Sequence, residues 1–260
     1  MRTSDWELPK FEKFEFRKKS SKYCVCIPII NEGQRILTQL EKMKKVSKLA
    51  DIIICDGRSN DGSTKLSVMK KYNVRTLLTK LGPGKQATQL RMGFSYALKQ
   101  GYKGVIQVDG NNKDGVNAIP RFIKELDAGY DYIQGSRFVK GGKAVNTPIN
   151  RYIGVRFIAS PLISLFGGYL YTDITNGFRA YSARYLLHSK VLPFRSVFLQ
   201  YGLNFYLAVR ARQVGLLSKE IPVLRAYPKH STPSKMKNFS DQFDLLKEVV
   251  YAAFGKYNPR

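Results

Sequence analysis

Apolar positions along the chain follow two alternating periods. Runs of strand length, dense in Ile, Val and Cys, occupy residues 23–30, 51–55, 74–78, 104–108 and 131–135. Between them the apolar residues fall three and four apart. Ile36, Leu37, Leu40 and Met43 make one such stripe, and Ala87, Leu90, Phe94, Ala97 and Leu98 make another within residues 85–99. Residues 63–72 and 116–128 read the same way. A short apolar run bounded by polar turns marks a buried strand, whereas three-and-four spacing marks a helix with one buried face. Their alternation predicts an α/β fold, a single domain with a mostly parallel central sheet and helices on both faces.

Past residue 138 the pattern loosens. Residues 139–148, with Gly141-Gly142 and Pro148, read as loop; helices are predicted at about 151–165 and at 201–214, and a strand at 218–223. Phe243, Leu246, Val250, Ala253 and Phe254 stand near helical spacing beside Lys247 and Lys256. They predict an amphipathic C-terminal helix that docks on the body or lies on a membrane surface. Residues 1–21 read as a polar lead-in, with Phe11, Phe14 and Phe16 tucked against the body. The expected division is therefore 1–21, a domain at 22–235 whose pattern changes after residue 138 (22–138 and 139–235), and 236–260.

Composition narrows the function classes. Apolar content of 43% in 260 residues supports one substantial core and excludes a disordered chain. The charge is strongly basic: 44 Lys and Arg against 19 Asp and Glu give +25. Such a surplus points to a polyanionic partner, be it nucleic acid, an anionic membrane face or phosphorylated substrates. The basic residues are scattered and no nucleic-acid motif accompanies them, which favours membrane and phosphates and leaves no nucleic-acid partner expected. Cys24, Cys26 and Cys55 lie in predicted strands, an odd set without framework spacing, and read as core thiols of a reducing compartment. Residues 1–22 lack the apolar centre of a signal peptide. The longest apolar run, 157–171, is broken by Pro161 and Gly167-Gly168, short of the ~20 residues that span a bilayer. A soluble or peripheral protein is expected.

Polar chemistry gathers at the predicted strand ends, where open α/β sheets bind ligands. One strand ends on Asp109, followed by Gly110 and Asn111. A carboxylate and an amide oxygen two positions apart suit a hard divalent cation bridging a diphosphate, although Asp-Gly-Asn is also a common turn. An earlier strand ends on Asp56, before Gly57-Arg58-Ser59-Asn60-Asp61-Gly62-Ser63. Another ends in Asn31-Glu32-Gly33, which also reads as a helix cap with a first-turn acid. Gly82-Pro83-Gly84-Lys85 precedes a helix whose N-terminus favours anions, but its glycine spacing fits neither a Walker loop nor a dinucleotide fingerprint.

Taken in order, Pro28, Asn31 and Glu32, then Asp56-Gly57-x-Ser59-x-Asp61-Gly62-Ser63, then Gly82-Pro83-Gly84-Lys85, then Asp109-Gly110-Asn111, resemble the successive motifs of family 2 glycosyltransferases. Gly135-Ser136-Arg137-Phe138 and Thr175-Asn176-Gly177-Phe178-Arg179-Ala180-Tyr181 are similar to the dolichyl-phosphate mannosyltransferase branch and its bacterial relatives in surface-polysaccharide synthesis. The resemblance covers about residues 22–235 and implies a Rossmann-like GT-A fold, with 22–138 as its nucleotide-sugar-binding half and 139–235 as its acceptor-side half. It assigns Pro28, Asn31, Glu32, Asp56, Lys85, Asp109, Gly110 and Asn111 to the nucleotide sugar, with Asp109 and Asn111 as ligands of Mg²⁺ or Mn²⁺. Asp109, Arg137 and Arg179 become the catalytic candidates. Arg137 and Arg179, with Lys235 in a basic loop at 227–237, would meet acceptor or leaving phosphate, unless the arginines serve as salt bridges at the sheet rim.

The chain departs from the family in two places. Asn111 replaces the second acid of the Asp-x-Asp motif, and Lys113 stands where relatives often carry a neutral ligand, so its ammonium is a candidate to take over part of the metal's task. Tyr201-Gly202 lacks a Glu common in relatives, and no general base stands out. The resemblance implies an inverting transfer of a sugar from a nucleotide-diphosphate donor to a polyprenyl phosphate or lipid-linked glycan, in cell-surface polysaccharide or glycolipid synthesis. The expected setting is the cytoplasm, peripheral on the inner face of an anionic membrane, with a membrane subunit as a candidate partner. A catalytically silent nucleotide- or partner-binding relative is the alternative, and a nucleic-acid binder a weaker one.

Overall fold

The most apolar runs of the sequence lie at the middle of the sheet, as burial on both faces demands. In the computed structural model, which describes residues 5–229 and 239–259 (at 239–241 the backbone alone), β2 (Tyr23–Ile29) and β3 (Asp51–Asp56) are buried at every position. With β1 (Phe11–Glu15), β4 (Thr76–Lys80), β5 (Gly104–Gln107), β6 (Tyr132–Ser136), β8 (Arg179–Ser182) and β9 (Ser218–Pro222) they form one sheet. Its order is β1-β4-β3-β2-β5-β8-β6-β9. β4, β3, β2 and β5 run parallel, β8 runs antiparallel to both its neighbours, and β1 lies antiparallel on the edge. A two-stranded ribbon, β7 (Lys143–Val145) with β10 (Leu224–Ala226), stands apart.

Successive residues of β2 feed opposite cores. Cys24 and Cys26 face one cluster, packed by α3 (Gln86–Lys99), α6 (Ser160–Gly167), α8 (Gly202–Gln213) and α9 (Phe239–Ala253). Val25, Ile27 and Ile29 face the other, packed by α1 (Gln34–Lys42), α2 (Leu66–Lys71) and α4 (Ile119–Asp127). The three cysteines are free and buried, as the sequence predicts. α5 (Ile149–Ile153) runs into α6 through a π-helical segment, Gly154–Ala159, and α7 (Ala183–Leu186) follows β8.

Two expectations change. Residues 1–21 are more than a lead-in, because Phe11–Glu15 pairs with Thr76–Lys80 as an edge strand. Four of its five positions are exposed, which is why its sequence reads as polar. Residues 139–148 are likewise not all loop: Lys143–Val145 pairs with Leu224–Ala226 with every side chain exposed, so no apolar alternation marks it.

One buried carboxylate ties the N-terminal segment to the sheet. Asp51 is fully buried, and its oxygens accept from Arg17 Nη1 (2.6 Å), Ser20 N (3.0 Å), Ser20 Oγ (2.8 Å), Ser21 N (3.2 Å) and Tyr102 OH (2.6 Å). Burial alone would raise its pKa, but the bonds from Tyr102, Ser20 and Arg17 outweigh it and hold the carboxyl below its usual value. At the other end of the chain, Gly202 opens α8 against α9. A Cβ there would overlap the Glu248 carboxylate and stand 2.8 Å from the Tyr257 ring, whose hydroxyl donates to Glu248 Oε2 at 2.5 Å. The side chain absent at 202 is what lets α9 seat.

Asp51→Ala is expected to cost about 3 kcal/mol of stability in chemical denaturation, since it strands buried donors and a guanidinium. Because the folded pKa is depressed, the contribution is present above the unfolded carboxyl value of about 4 and lost as pH falls through the folded one. The variant should therefore show a shallower loss of stability on acidification. Gly202→Val is expected to cost roughly 1–3 kcal/mol by overpacking and to speed proteolysis of α9. Adding Glu248→Ala should recover part of that loss, giving a coupling energy of at least about 0.5 kcal/mol in a double-mutant cycle.

Candidate functional site

The chain leaves β2 outward to β3 and β4, then returns to place β5 on the other side of β2, so the strand order reverses between β2 and β5. Ligands of open α/β sheets bind at that switch point, beyond the carboxyl ends of the strands. A cleft of about 1180 Å³ opens there, lined by Pro28 to Ile30 from the end of β2 and by Asp109 to Asn111 after β5.

The first wall is made by the loops after β2 and β3, which are stitched together. Asn31 stands at φ 49°, a left-handed conformation that Asn tolerates. Its N–H donates to Ser59 Oγ and its side-chain oxygen accepts from Asn60 N. Asp56 is buried and turned into its own loop, accepting from Ser59 N and from Ser59 Oγ at 2.6 Å, with burial pushing its carboxyl pKa up. Asn31 and Asp56 thus shape the wall, while Pro28, Glu32 and Gly57 line the cleft itself. Glu32 is ion-paired with Arg35 Nε at 2.8 Å. Across the cleft, Lys85 lines the rim at the start of α3, its ammonium 5.6 Å from the Tyr201 ring centre.

Asp109 sits at the centre, and both of its oxygens are engaged. Oδ1 accepts from Gln86 Nε2 (3.0 Å) and Oδ2 from Arg225 Nη2 (3.2 Å). Gly177 lies so close that a Cβ there would stand 2.5 Å from Asp109 Oδ1; the Asn-Gly-Phe segment can pass only with glycine at that point. Arg225 Nη1 also binds the buried Asp114 at 2.6 Å. Asn111 Oδ1 accepts from the N–H of Lys113 at 3.2 Å. The Lys113 ammonium lies 4.9 Å from the Tyr227 ring centre, and burial together with Arg225 lowers its pKa to about 8. Tyr227 is buried too, yet Arg225, Arg137 and Arg151 bring its hydroxyl down to about 8.

The two motif arginines differ in what they can offer. Arg137 forms a bidentate pair with the buried Asp173, Nε to Oδ2 and Nη2 to Oδ1 at 2.7 Å each, leaving Nη1 without a partner among the described residues. Arg179 is fully buried at the start of β8. Its donors go to main-chain oxygens, Nε to Asn176 (2.9 Å), Nη1 to Asn204 (2.5 Å) and Nη2 to Ile174 (2.5 Å). Arg179 reaches the cleft lining, and its three main-chain bonds make it a clamp on the 174–179 turn. β8 runs antiparallel to β5, so the turn that precedes it arrives at the same rim as Asp109. Lys235 lies outside the described residues.

Asp109 and Asn111 were the residues expected to hold Mg²⁺ or Mn²⁺, and they fit a divalent ion poorly. One carboxylate is already answered by a guanidinium and an amide, the Asn oxygen is turned to its own backbone, and no cluster of three acidic, His or Cys side chains suited to a metal occurs among the described residues.

The cleft has a second, apolar end. Val155, Ile158 and Ala159 of the π segment, Phe205 of α8, and Phe243, Leu246 and Val249 of α9 line it. Arg225, Gln86 and Tyr227 were not singled out as ligands from the sequence. Arg225 carried a usable signal: a lone arginine in the strand-like run Val223-Leu224-Arg225-Ala226 needs a buried carboxylate partner.

The profile of glycosyl transferase family 2 matches residues 24–188. An undecaprenyl-phosphate mannosyltransferase of Micrococcus luteus is 27% identical over 202 residues, 76% of this chain and 80% of that protein. A dolichyl-phosphate hexose transferase of Haloferax volcanii is 23% identical over 85% of this chain and 89% of its own. Among solved structures, glucosyl-3-phosphoglycerate synthase of Mycobacterium tuberculosis, in complex with Mn²⁺, UDP and phosphoglyceric acid, superposes with a TM-score of 0.65 at 13% identity. That match covers 90% of this chain and 78% of the other. With the mostly parallel sheet, the switch-point cleft and the ordered strand-end motifs, these matches agree: the chain belongs to glycosyl transferase family 2 and is a glycosyltransferase of the GT-A fold.

Proposed function

We propose that the enzyme transfers a sugar, with inversion, from a nucleotide-diphosphate donor to a polyprenyl phosphate at the cytoplasmic membrane face. The observation that carries this reading is the single cleft with two chemically opposite ends. A cationic end at β2 and β5 suits diphosphate and phosphate, and an apolar end between the π segment and α9 suits a prenyl chain. The names of the Micrococcus and Haloferax relatives point the same way.

The nucleophile also argues for a phosphate acceptor. Both carboxylates lining the cleft among the described residues, Glu32 and Asp109, are ion-paired. A sugar hydroxyl would need a general base, whereas a phosphate oxygen is already ionised at neutral pH. In the proposed step that oxygen attacks the anomeric carbon from the side opposite the diphosphate. The new C–O bond forms as the old one breaks, and the electron pair leaves with the diphosphate. Cations fixed at the polar end stabilise that departing charge.

The outer surface supplies a membrane face. Ile149, Ile153, Phe157 and Leu165 are exposed at intervals of four and eight residues along α5–α6, and Phe254, exposed beside α9, stacks on Phe166 at 4.6 Å. No helix among the described residues is long and apolar enough to cross a bilayer. An apolar ridge on a chain of charge +25 suits shallow insertion among anionic headgroups.

Asp109→Ala is expected to lower sugar transfer at least about a hundredfold with the thermal unfolding midpoint little changed; parent-level transfer would remove Asp109 from the site. With prenyl phosphates of increasing length, kcat/KM should rise. A flat response would remove the lipid end. Phe157→Asp with Leu165→Asp should reduce cosedimentation with anionic vesicles and leave binding of free nucleotide intact.

A further inference from the structure

We infer that the donor diphosphate is held and neutralised by the protein's own cations, chiefly Lys113 and Arg225 with Arg137, so that nucleotide binding and sugar transfer need no divalent ion. This rests on the diphosphate lying at the carboxyl ends of β2 and β5, as proposed above.

Charge makes the first case. Eight cationic side chains line the cleft among the described residues, against two carboxylates. A metal site in this fold needs oxygen ligands of net negative charge. Here the one central carboxylate, Asp109, already carries Arg225 Nη2 at 3.2 Å and Gln86 Nε2 at 3.0 Å. A divalent ion on Asp109 would have to lie beside a guanidinium that is buried and held from its other side by Asp114 at 2.6 Å, at the cost of repulsion between the two cations.

Placement makes the second case. Three cations converge on one ring, with the Lys113 ammonium at 4.9 Å from the centre of Tyr227, Arg151 at 5.7 Å and Arg225 at 5.9 Å. Like charges held together by a shared aromatic face and buried carboxylates repel one another, and an anion among them relieves that repulsion. Arg137 adds an unfilled donor. Its side chain is more than nine-tenths buried and lines the cleft, two of its nitrogens are fixed on Asp173, and Nη1 has no partner among the described residues. A guanidinium fixed on two sides with one N–H group unspent is preorganised for a phosphate oxygen.

The test is calorimetric titration of GDP, UDP, CDP and dTDP into the full chain, once in EDTA and once in Mn²⁺, with the wild type and with Lys113→Gln. At least one nucleotide is expected to bind the wild type in EDTA with a Kd within about threefold of its value in Mn²⁺. Lys113→Gln should weaken that EDTA binding at least about tenfold while its unfolding midpoint stays at or above that of the wild type, since the change removes a desolvated charge. Should Lys113→Gln fold poorly, Arg137→Lys, which keeps the charge but loses the fork, should show the same EDTA-resistant weakening. Wild-type binding only in Mn²⁺, or at least tenfold tighter there, overturns the inference while leaving the donor site standing. Binding of no nucleotide in either buffer overturns the donor site itself.

Discussion

Arg225 lies between two carboxylates that the sequence places more than a hundred residues upstream, and the architecture of the site follows from that bridge. Asp114 is buried and must have a partner, and Asp109 must be held at a strand end where it would otherwise swing into solvent. One guanidinium satisfies both. In doing so it pins β10, and with it the β7–β10 ribbon, across the mouth of the sheet. Removing it would leave two like charges facing each other in a dry cleft, so the bridge sets which conformations the rim can adopt.

The antiparallel strand β8 is the second constraint. Parallel strands bring only the turns that follow them to the ligand rim; a motif that precedes a strand reaches the same rim only if that strand runs the other way. That reversal carries Thr175 to Phe178 over Asp109 and requires Gly177 at the crossing. Arg179 then fixes the turn from below with its three main-chain bonds. Besides the role its motif implies, its chemistry here is that of a rivet. Arg137, with similar credentials, keeps one donor unspent.

Much of the fold was legible because buried parallel strands cannot be disguised: residues 23–29 and 52–55 are apolar on both faces, and the helices between them keep one apolar stripe. Asp109 was legible because a carboxylate straight after such a strand has nowhere to go but the rim. Elements lacking that contrast were hidden. β1 and β7 are exposed edge pieces whose stability comes from partner strands, not from their own pattern. Arg225 was hidden for a different reason: its meaning depends on two acids distant in sequence, a relation that local periodicity does not encode. The engagement of Asp56 with Ser59 was equally invisible, since a carboxylate at a strand end reads the same whether it faces the ligand or its own loop.

The seat of α9 against Gly202 bears on the order in which the enzyme comes into being. Every strand of the sheet, and with them the cationic end of the cleft, precedes α9 in the chain, so a nascent polypeptide can assemble the sheet and that end while the apolar wall is still unmade. During that interval the slot beside Gly202 and the bare flanks of α6 and α8 are open to water. Closing them falls to α9. On the proposed reading, the wall offered to the lipid is thus completed after the wall offered to the nucleotide, in the sequence in which translation delivers the two.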